Sequence, residues 1–318
     1  MMNTLDVQNS EGGVATRHFW NIGRATVHNP GLMVSIAFLV FLVGLALLAR
    51  LLPHDAYSLD VLHRNATPSV QHWFGTDELG RDVLARIAVG ARVSLVVAVA
   101  STIVAIAIGV MVGVLSGYLG GMTDNIVMRL VDAMYAFPDT LFAILMAAFV
   151  KGYLSGDIHG FLSPLAEVYR LSGGILGVLL TLGLSSWPTT SRLVRSQVMS
   201  LKHAEYVLAA RLSGASGGSI IRTHLLPNTV PVILIAITFV VPNAILLEAG
   251  LSFIGIGVDP PTPSWGTMIA AGAQSIQSYP HLLIIPALAI GLTLLSLNVI
   301  GDALRDILDP TLVGMQKA

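Results

Sequence analysis

The chain has 318 residues, of which 54% are hydrophobic and only 11% are charged, and its mean hydropathy is +0.77. This composition excludes an ordinary soluble enzyme, because so much apolar surface requires lipid as the solvent. A net charge of -1 without any basic run argues against binding of nucleic acid, and the absence of cysteine excludes disulfides, thiolate metal sites and cysteine nucleophiles.

Six apolar segments are long enough to cross a bilayer as helices. Segments of this length satisfy their backbone hydrogen bonds internally, whereas the strands of a barrel are shorter and alternate with polar residues. The sequence therefore predicts an all-α polytopic membrane protein. Its six predicted transmembrane helices cover about residues 31–52, 93–118, 127–150, 173–190, 229–247 and 282–300.

The third predicted span contains charged residues near its start. Its apolar run, 137–150, is too short to cross a bilayer alone, so we expect one helix that begins earlier. That helix carries Arg129 and Asp132 near its polar end. Their spacing of three residues predicts that they pair with each other.

The predicted spans divide the chain into an anchor and a core. The first 30 residues are polar or mixed and the first apolar run is long enough to span, so we expect a retained anchor and not a cleaved signal peptide. The predicted parts are a cytoplasmic N-terminal tail at 1–30, the anchor helix at 31–52, an external segment with an amphipathic helix at 53–92, a five-helix core at 93–312 with a cytoplasmic loop at 191–228, and a cytoplasmic C-terminal tail at 313–318.

Lysine and arginine in the loops predict the orientation, because cytoplasmic loops carry an excess of both. Segment 191–228 contains five of these residues, whereas segment 248–281 contains none. The first is therefore predicted to be cytoplasmic and the second external, which places both termini in the cytoplasm. Segment 53–92 is predicted to be external although it contains four arginines, which five acidic residues offset.

The sequence FGTDELGRDVLARI in the external segment is typical of a salt-bridged surface helix. Asp77 and Glu78 are expected in its first turn, where they favour the positive end of the helix. The spacing allows Arg81 to pair with either of them and Arg86 to pair with Asp82. Contact with a substrate-delivering protein is the alternative role for this helix.

Small residues recur along the second span. Gly109, Gly113 and Gly117 are four residues apart, so one face of the helix lacks side chains. This pattern predicts that another helix backbone packs closely there. A face that lines the translocation path is the alternative.

Glu248 is a carboxylate within an apolar stretch, where it requires water, a partner or the translocation path. It is predicted either to line the external mouth or to pair with a donor at a helix end. The proline-rich sequence DPPTPSWG follows at 259–266 and cannot form a regular helix. We expect a stiff external turn or a re-entrant scoop there, with Trp265 at the membrane interface, and we predict Glu248 and Trp265 as residues of the path or of an external gate.

Several sequence blocks together resemble one family of membrane proteins. They are FGTDELGRDVLARI, ARVSL, GYLGGMTDNIVMRLVDAMYAFP, EYVLAARLSGAS, HLLPN, LLEAGLSFIGIGVDPPTPSWGTM and LNVIGDALRDILDP. With these blocks the chain resembles the second, C-type, permease subunit of the dipeptide, oligopeptide and nickel family of ABC importers. The resemblance implies the type I ABC importer permease fold.

The resemblance also implies that the loop at 191–228 is a coupling loop, whose short helix docks on the ATP-hydrolysing subunit. Small alanines allow close docking, and Gly214 allows the backbone to turn without a Cβ clash. The predicted coupling residues are Glu205, Leu208, Ala209, Ala210, Arg211, Gly214, Leu226 and Pro227. Leu208 stands where the family usually has glutamate, and His224 where it usually has isoleucine.

The implied function is import of short peptides across the bacterial cytoplasmic (inner) membrane by alternating access. The expected partners are a homologous second permease subunit, two ATP-binding subunits, an extracytoplasmic substrate-binding protein and the lipid bilayer. No catalytic residue, metal or cofactor is predicted in this chain, and it lacks a GxxxxGK[ST] loop. ATP and Mg are expected in the partner ATPase subunits.

Three alternatives remain at this stage. The same architecture could import nickel chelates or glutathione, since an external binding protein largely selects the substrate in this family. A self-sufficient secondary transporter is an alternative from another class, although several buried ionisable groups and an inverted repeat would then be expected. An intramembrane hydrolase is disfavoured because no nucleophile and base are evident.

Overall fold

The computed structural model describes residues 29–156 and 163–308, and within these ranges it contains helices and no β-strand. Most of the predicted N-terminal tail and all of the predicted C-terminal tail fall outside the described residues. The helices are α1 Pro30–Leu47, α2 Val83–Leu119, α3 Gly121–Tyr135, α4 Asp139–Leu154, α5 Ser163–Leu171, α6 Ile175–Leu201, α7 Glu205–Leu212, α8 Gly217–Ile220, α9 Leu226–Phe253, α10 Trp265–Gln274 and α11 His281–Leu308.

Four helical runs in the described residues are individually long and apolar enough to span a membrane: α1, α2, the run Gly217–Phe253 and α11. Two more spans arise if each of two bent pairs crosses as one unit. Helices α3 and α4 meet at 93°, and α5 and α6 meet at 115°. The structure thus accommodates the six predicted spans.

The third predicted span is wrong in one respect, because it is broken and not continuous. Helix α3 ends at Tyr135 and α4 begins at Asp139. Pro138 lies in the break, and proline disfavours helical backbone in the residue before it and supplies no N–H of its own. The predicted pair of Arg129 with Asp132 is also replaced, since Asp132 binds Arg192 of α6 at 2.7 Å.

The predicted surface helix beginning at Asp77 is wrong as well. Asp77 and Glu78 lie in a turn, and Gly80 has a φ of +76°, which glycine tolerates best. Asp82 caps α2 instead, because its carboxylate accepts a 2.8 Å hydrogen bond from the Ala85 N–H. Helix α2 then continues for 37 residues into the membrane-spanning region.

The ion pairs of this turn differ in part from those predicted. Arg81 binds Asp77 at 2.7 Å, as its spacing allows. Arg86 also approaches Asp77, at 3.4 Å, and not Asp82. Asp82 instead binds His72 at 2.8 Å. The two arginines therefore share one carboxylate at the N-terminus of α2.

The glycine stripe of α2 packs against α6, as predicted. A Cβ atom on Gly109 would lie 2.6 Å from the Cβ of Thr190, and one on Gly113 would lie 2.6 Å from the Ser191 carbonyl oxygen. Gly117 is similarly close to Arg195 and Val198. Helices α2 and α6 therefore pack more closely than they could if these three positions carried side chains.

The largest buried cluster joins seven helices, including α4 and α6. It includes Leu42 of α1, Val97 of α2, Ile245 of α9, Met268 of α10 and Leu282 of α11. A smaller buried cluster lies at the other end of α2 and α6, where the chain enters the predicted coupling loop. The fold thus connects that loop directly to two of the membrane-spanning helices.

Candidate functional site

The predicted coupling loop contains a short helix, α7, that ends in a glycine turn. Gly214 has a φ of +85°, a conformation in which a residue with a Cβ is strained. The Ala215 N–H donates back to the Ala210 carbonyl at 3.1 Å and so closes the end of the helix. The short helix and its glycine therefore have the local structure that a compact docking element requires.

Helix α7 is anchored by one face and exposed on the other. Val207 is fully buried and belongs to a cluster with Val194 and Val198 of α6. On the exposed side, the side chains of Leu208 and Leu212 are 41% and 90% exposed. Single exposed leucines are common on protein surfaces, so this face is open to a partner without by itself indicating one. The predicted coupling residues Glu205, Leu208, Ala209, Arg211 and Gly214 are exposed, and Ala210 is half-buried.

Two further contacts tie the coupling loop to the membrane helices. Lys202, just before α7, donates a 2.8 Å hydrogen bond to the Gly117 carbonyl at the end of α2. Leu226 and Pro227 begin α9, and a proline in the first turn of a helix loses no intrahelical hydrogen bond. The coupling loop is therefore in direct contact with α2 and α6 and leads into α9.

A cleft of about 340 Å³ opens midway along the membrane helices. Its walls come from the break between α3 and α4, from the middle of α6 and from the central and C-terminal part of α9. Pro188 of α6 lies in one wall. The lining residues are Met134, Tyr135, Asp139, Phe142, Ser185, Ser186, Pro188, Thr189, Phe239, Val240, Asn243 and Leu247. The cleft combines aromatic surface with hydroxyl, amide and carboxylate groups.

The polar groups of the cleft differ in whether they have partners. The Tyr135 hydroxyl bonds the Thr189 hydroxyl at 2.8 Å, and the Arg192 guanidinium lies 4.4 Å from the centre of the Tyr135 ring. Asp139 is exposed in the cleft and has no hydrogen bond or ion pair with any residue that the structure describes. Asp139 lies in the first turn of α4, where the positive end of the helix favours a carboxylate, and its charge is open to the cleft.

Sequence reasoning missed this cleft. Asp139 and Thr189 were not singled out, although each follows a proline in a stretch otherwise suited to a span. A proline next to a polar residue inside an apolar segment was the available signal, because broken helices at membrane depth are tolerated where they line a cavity. That Asp139 and Thr189 face one cavity depends on the packing of α3, α4 and α6.

Glu248 and Trp265 are both fully buried inside this chain. Glu248 accepts hydrogen bonds of 2.8 Å from the hydroxyls of Ser94 and Ser252. The Trp265 indole N–H donates to the Ile87 carbonyl at 3.2 Å. The expected position of Trp265 at the membrane interface is wrong, because its side chain is enclosed within this chain; Glu248 lies inside α9 and not at a helix end, and it pairs with hydroxyls of α2 and α9. Neither residue lines the cleft.

Known proteins resemble this chain in sequence and fold. A family model described as a binding-protein-dependent transport system inner membrane component matches residues 109–314. The glutathione transport system permease protein GsiD of Shigella flexneri serotype 5b (strain 8401) is 40% identical over 284 residues, covering 89% of this chain and 87% of the relative. The oligopeptide transport system permease protein OppC of Bacillus subtilis (strain 168) is 38% identical over 281 residues, covering 88% and 85%.

A solved structure resembles the fold. It is described as an inward-facing conformation of the MetNI methionine ABC transporter, and it has a TM-score of 0.50 at 17% identity. The match covers 69% of this chain and 96% of that chain. The helical arrangement is therefore shared between the two proteins at a low level of sequence identity.

Proposed function

This chain belongs to the inner membrane components of binding-protein-dependent transport systems, and on that premise we propose that it imports short peptides through the cleft between α4, α6 and α9. It is a multi-pass permease subunit of an ABC importer with the type I permease fold, and it is a transport subunit and not an enzyme. Permeases of this family work with further permease, ATPase and binding-protein subunits. The alternative of a self-sufficient secondary transporter is not favoured.

The chemistry of the cleft carries the substrate proposal. A short peptide presents an ammonium group, amide bonds and apolar side chains. Asp139 supplies an unpaired anionic acceptor, Asn243 supplies an exposed amide, and Phe142 and Phe239 supply apolar surface. The printed names of two relatives specify glutathione and oligopeptides, which are both peptidic substrates. Glutathione is therefore included in the proposed substrate class.

The same contacts suggest how ATP hydrolysis in a partner would move the cleft. Val207 fixes α7 to Val194 and Val198, which lie on α6 beyond the cleft residue Thr189. Because the glycine stripe locks α6 to α2, these helices move with α7 as one body. The opposite wall begins at the Pro138 break between α3 and α4, which can act as a hinge. Displacement of α7 then widens or closes the cleft.

The finer assembly is also part of this proposal. Two ATP-binding subunits, with ATP and Mg²⁺, contact the exposed face of α7 and of the matching helix in a homologous second permease. A substrate-binding protein delivers the peptide from outside. The coupling residues from Glu205 to Gly214 form the docking surface, with Leu226 and Pro227 where the chain re-enters the membrane. Both termini are then cytoplasmic.

Reconstituted transport tests the proposed function. The full complex, purified with its natural partners, is placed in liposomes with the binding protein outside and ATP inside. We expect uptake of a labelled tripeptide or of glutathione that stops with vanadate and continues when ion gradients are collapsed. Uptake that continues in the presence of vanadate and stops when the ion gradients are collapsed would refute ATP-driven import. Uptake of neither substrate, with vanadate-sensitive ATPase activity intact, would refute the substrate class alone.

A further inference from the structure

The segment between α1 and α2 brings several histidines together on its surface. Residues 53–82 contain one short 3-10 helix, Val61–His63, and otherwise turns and irregular backbone. The rings of His54 and His72 have their centres 4.5 Å apart, and His63 lies 6.3 Å from His72. None of these residues contributes to the cleft or to the coupling loop. Their grouping therefore needs a separate explanation.

His54, His72 and Asp82 together provide three ligand atoms of the types that bind transition metals. One atom from each residue can be chosen so that all three lie within 4.8 Å of one another. On a tetrahedral zinc with bonds of about 2.0 Å, neighbouring ligand atoms are separated by about 3.3 Å. The observed spacing therefore requires only small side-chain rotations to bring the three atoms around one ion.

The contact between His72 and Asp82 is consistent with a site before the metal enters. The His72 Nδ1 and the Asp82 Oδ2 lie 2.8 Å apart, with one proton between them. For the His72 Nδ1 to bind a metal, this proton moves to the Nε2 of the same ring, because only a ring nitrogen without a proton can be a ligand. His54 approaches from the exposed side, and its Nε2 contacts the Gln71 carbonyl at 3.0 Å, so its Nδ1 is free of hydrogen bonds within the described residues.

The burial of the three residues matches a site with a rigid base and an open entrance. Asp82 is 6% exposed, and its second oxygen holds the N-terminus of α2 through Ala85. The His72 side chain is 13% exposed, whereas His54 is exposed. A supported carboxylate and one buried imidazole fix two ligands in advance, and the exposed imidazole leaves an entry path.

We propose that His54, His72 and Asp82 bind one divalent transition-metal ion, such as Zn²⁺, which fastens the segment 53–82 to the N-terminus of α2. Imidazole and carboxylate ligands suit zinc, nickel and copper better than magnesium or calcium. Water completes the coordination. This site is independent of the transported substrate, and the metal is a resident ligand and not the cargo.

The segment that the ion would fasten has little apolar core of its own. The side chains of Leu62, Val70 and Trp73 are 91%, 93% and 69% exposed. An ion that joins residue 54 to residue 82 closes this segment into a loop and stabilises its folded form, because the unfolded segment lacks the assembled site. The predicted position of the segment is external, where it faces the substrate-binding protein.

His63 provides a matched control because it lies beside the site without belonging to it. Its Nδ1 contacts the Asp60 Oδ2 at 2.7 Å. This hydrogen bond lowers the pKa of Asp60 below its ordinary value, so the pair is complete without a metal. Replacement of His63 therefore removes a neighbouring imidazole that is exposed, as His54 is, and leaves the three proposed ligands unchanged.

Zinc binding to the full-length chain in detergent tests the proposal. The protein carries no polyhistidine tag, is stripped with a chelator, and is titrated with Zn²⁺ in competition with a chromophoric chelator. We expect one saturable site per chain in the unaltered protein and in His63→Ala. We expect the affinity to fall at least tenfold in His54→Ala, in His72→Ala and in Asp82→Asn, which retains a side-chain oxygen that can cap α2.

Limited proteolysis of residues 53–82 gives a second readout. We expect Zn²⁺ to slow cleavage in the unaltered protein and in His63→Ala but not in His54→Ala, whose exposed side chain can be removed without disturbing the core. Absence of a saturable site in the unaltered protein would overturn the proposal. Zinc binding by His54→Ala and His72→Ala that is as tight as in the unaltered protein would also overturn it. So would a loss of affinity in His63→Ala as large as the loss in the ligand variants.

Discussion

Ser94 of α2 donates a 2.8 Å hydrogen bond to the carboxylate of Glu248 of α9, and both side chains are fully buried. Ser252 provides the second hydroxyl donor at the same distance. These two hydroxyls supply the hydrogen bonds that a buried carboxylate needs and that the surrounding apolar side chains cannot supply. Ser94 and Glu248 are 154 residues apart along the chain, and their hydrogen bond fixes the relative position of α2 and α9.

Replacement of Ser94 by alanine should lower the stability of the purified protein by about 1 to 3 kcal/mol, because it removes one of the hydroxyl donors to the buried carboxylate of Glu248. Thermal unfolding in detergent measures this loss. The matched control is Ser101→Ala, because Ser101 is buried in the same helix but bonds only the Ala98 carbonyl. Equal losses in the two variants would show that the contact with Glu248 has no special importance.

Replacement of Gly113 by alanine should destabilise the protein by about 1 to 3 kcal/mol, since the new methyl group overlaps the backbone of α6. Gly291 of α11 has no atom within 4 Å of the position that a Cβ would occupy, so Gly291→Ala should be neutral or stabilising by about 0.5 to 1 kcal/mol. Thermal unfolding of the two variants compares them directly. A neutral Gly113→Ala would contradict the close packing of α2 and α6.

Replacement of Gly214 by leucine should abolish ATP-coupled uptake while membrane insertion remains normal. The positive φ of Gly214 strains any residue with a Cβ, and the added bulk lies at the end of the proposed docking helix. Uptake and binding-protein-stimulated ATP hydrolysis should both fall in reconstituted vesicles. Gly218→Leu is the control, because its Cβ would also meet open space but its φ is not positive. Normal coupled uptake by Gly214→Leu would count against the docking assignment.

Replacement of Asp139 by asparagine should reduce peptide uptake at least tenfold, because it removes the unpaired charge from the cleft. Asp139→Glu should retain most of the uptake, since it keeps the charge. Vesicle uptake of a labelled tripeptide measures both. The control is Asp306→Asn, which changes an exposed carboxylate near the end of α11 outside the cleft. Full uptake by Asp139→Asn would exclude a role for this carboxylate in the path.

The orientation can be measured with single cysteines, because the chain has none of its own. Ser58 and Ser213 are both exposed, the first between α1 and α2 and the second after α7. In intact spheroplasts, Ser58→Cys should react with a membrane-impermeant maleimide, and Ser213→Cys should react only after permeabilisation. The reverse pattern would show that the proposed cytoplasmic face is external.

Much of the helical framework could be predicted from sequence. Long apolar runs indicated the spans, and the four-residue spacing of Gly109, Gly113 and Gly117 indicated a packed face. Both are local properties of a helix, since length sets how much of the bilayer it crosses and periodicity sets which residues share a face. The blocks around Ala209 and Gly214 indicated the permease family, which the similarity to known permeases confirms.

The partners of individual polar residues could not be predicted in this way. Spacing favoured a pair between Arg129 and Asp132, but Asp132 binds Arg192 of another helix. The aromatic preference for membrane interfaces favoured an interfacial Trp265, but tertiary packing buries it against α2. In each case the competing partner is distant along the chain, and only the packing of helices brings it close.

The sequence by itself determined that this protein is helical and spans a membrane, because hydrophobic length and the spacing of small residues act within single helices; its resemblance to a known family indicated a permease. Only the tertiary structure decided where the cleft lies, that Asp139 is unpaired within it among the described residues, and that Glu248 is enclosed by hydroxyl donors. The environment of a polar side chain at membrane depth depends on every helix that surrounds it, and that arrangement is not encoded in any one segment.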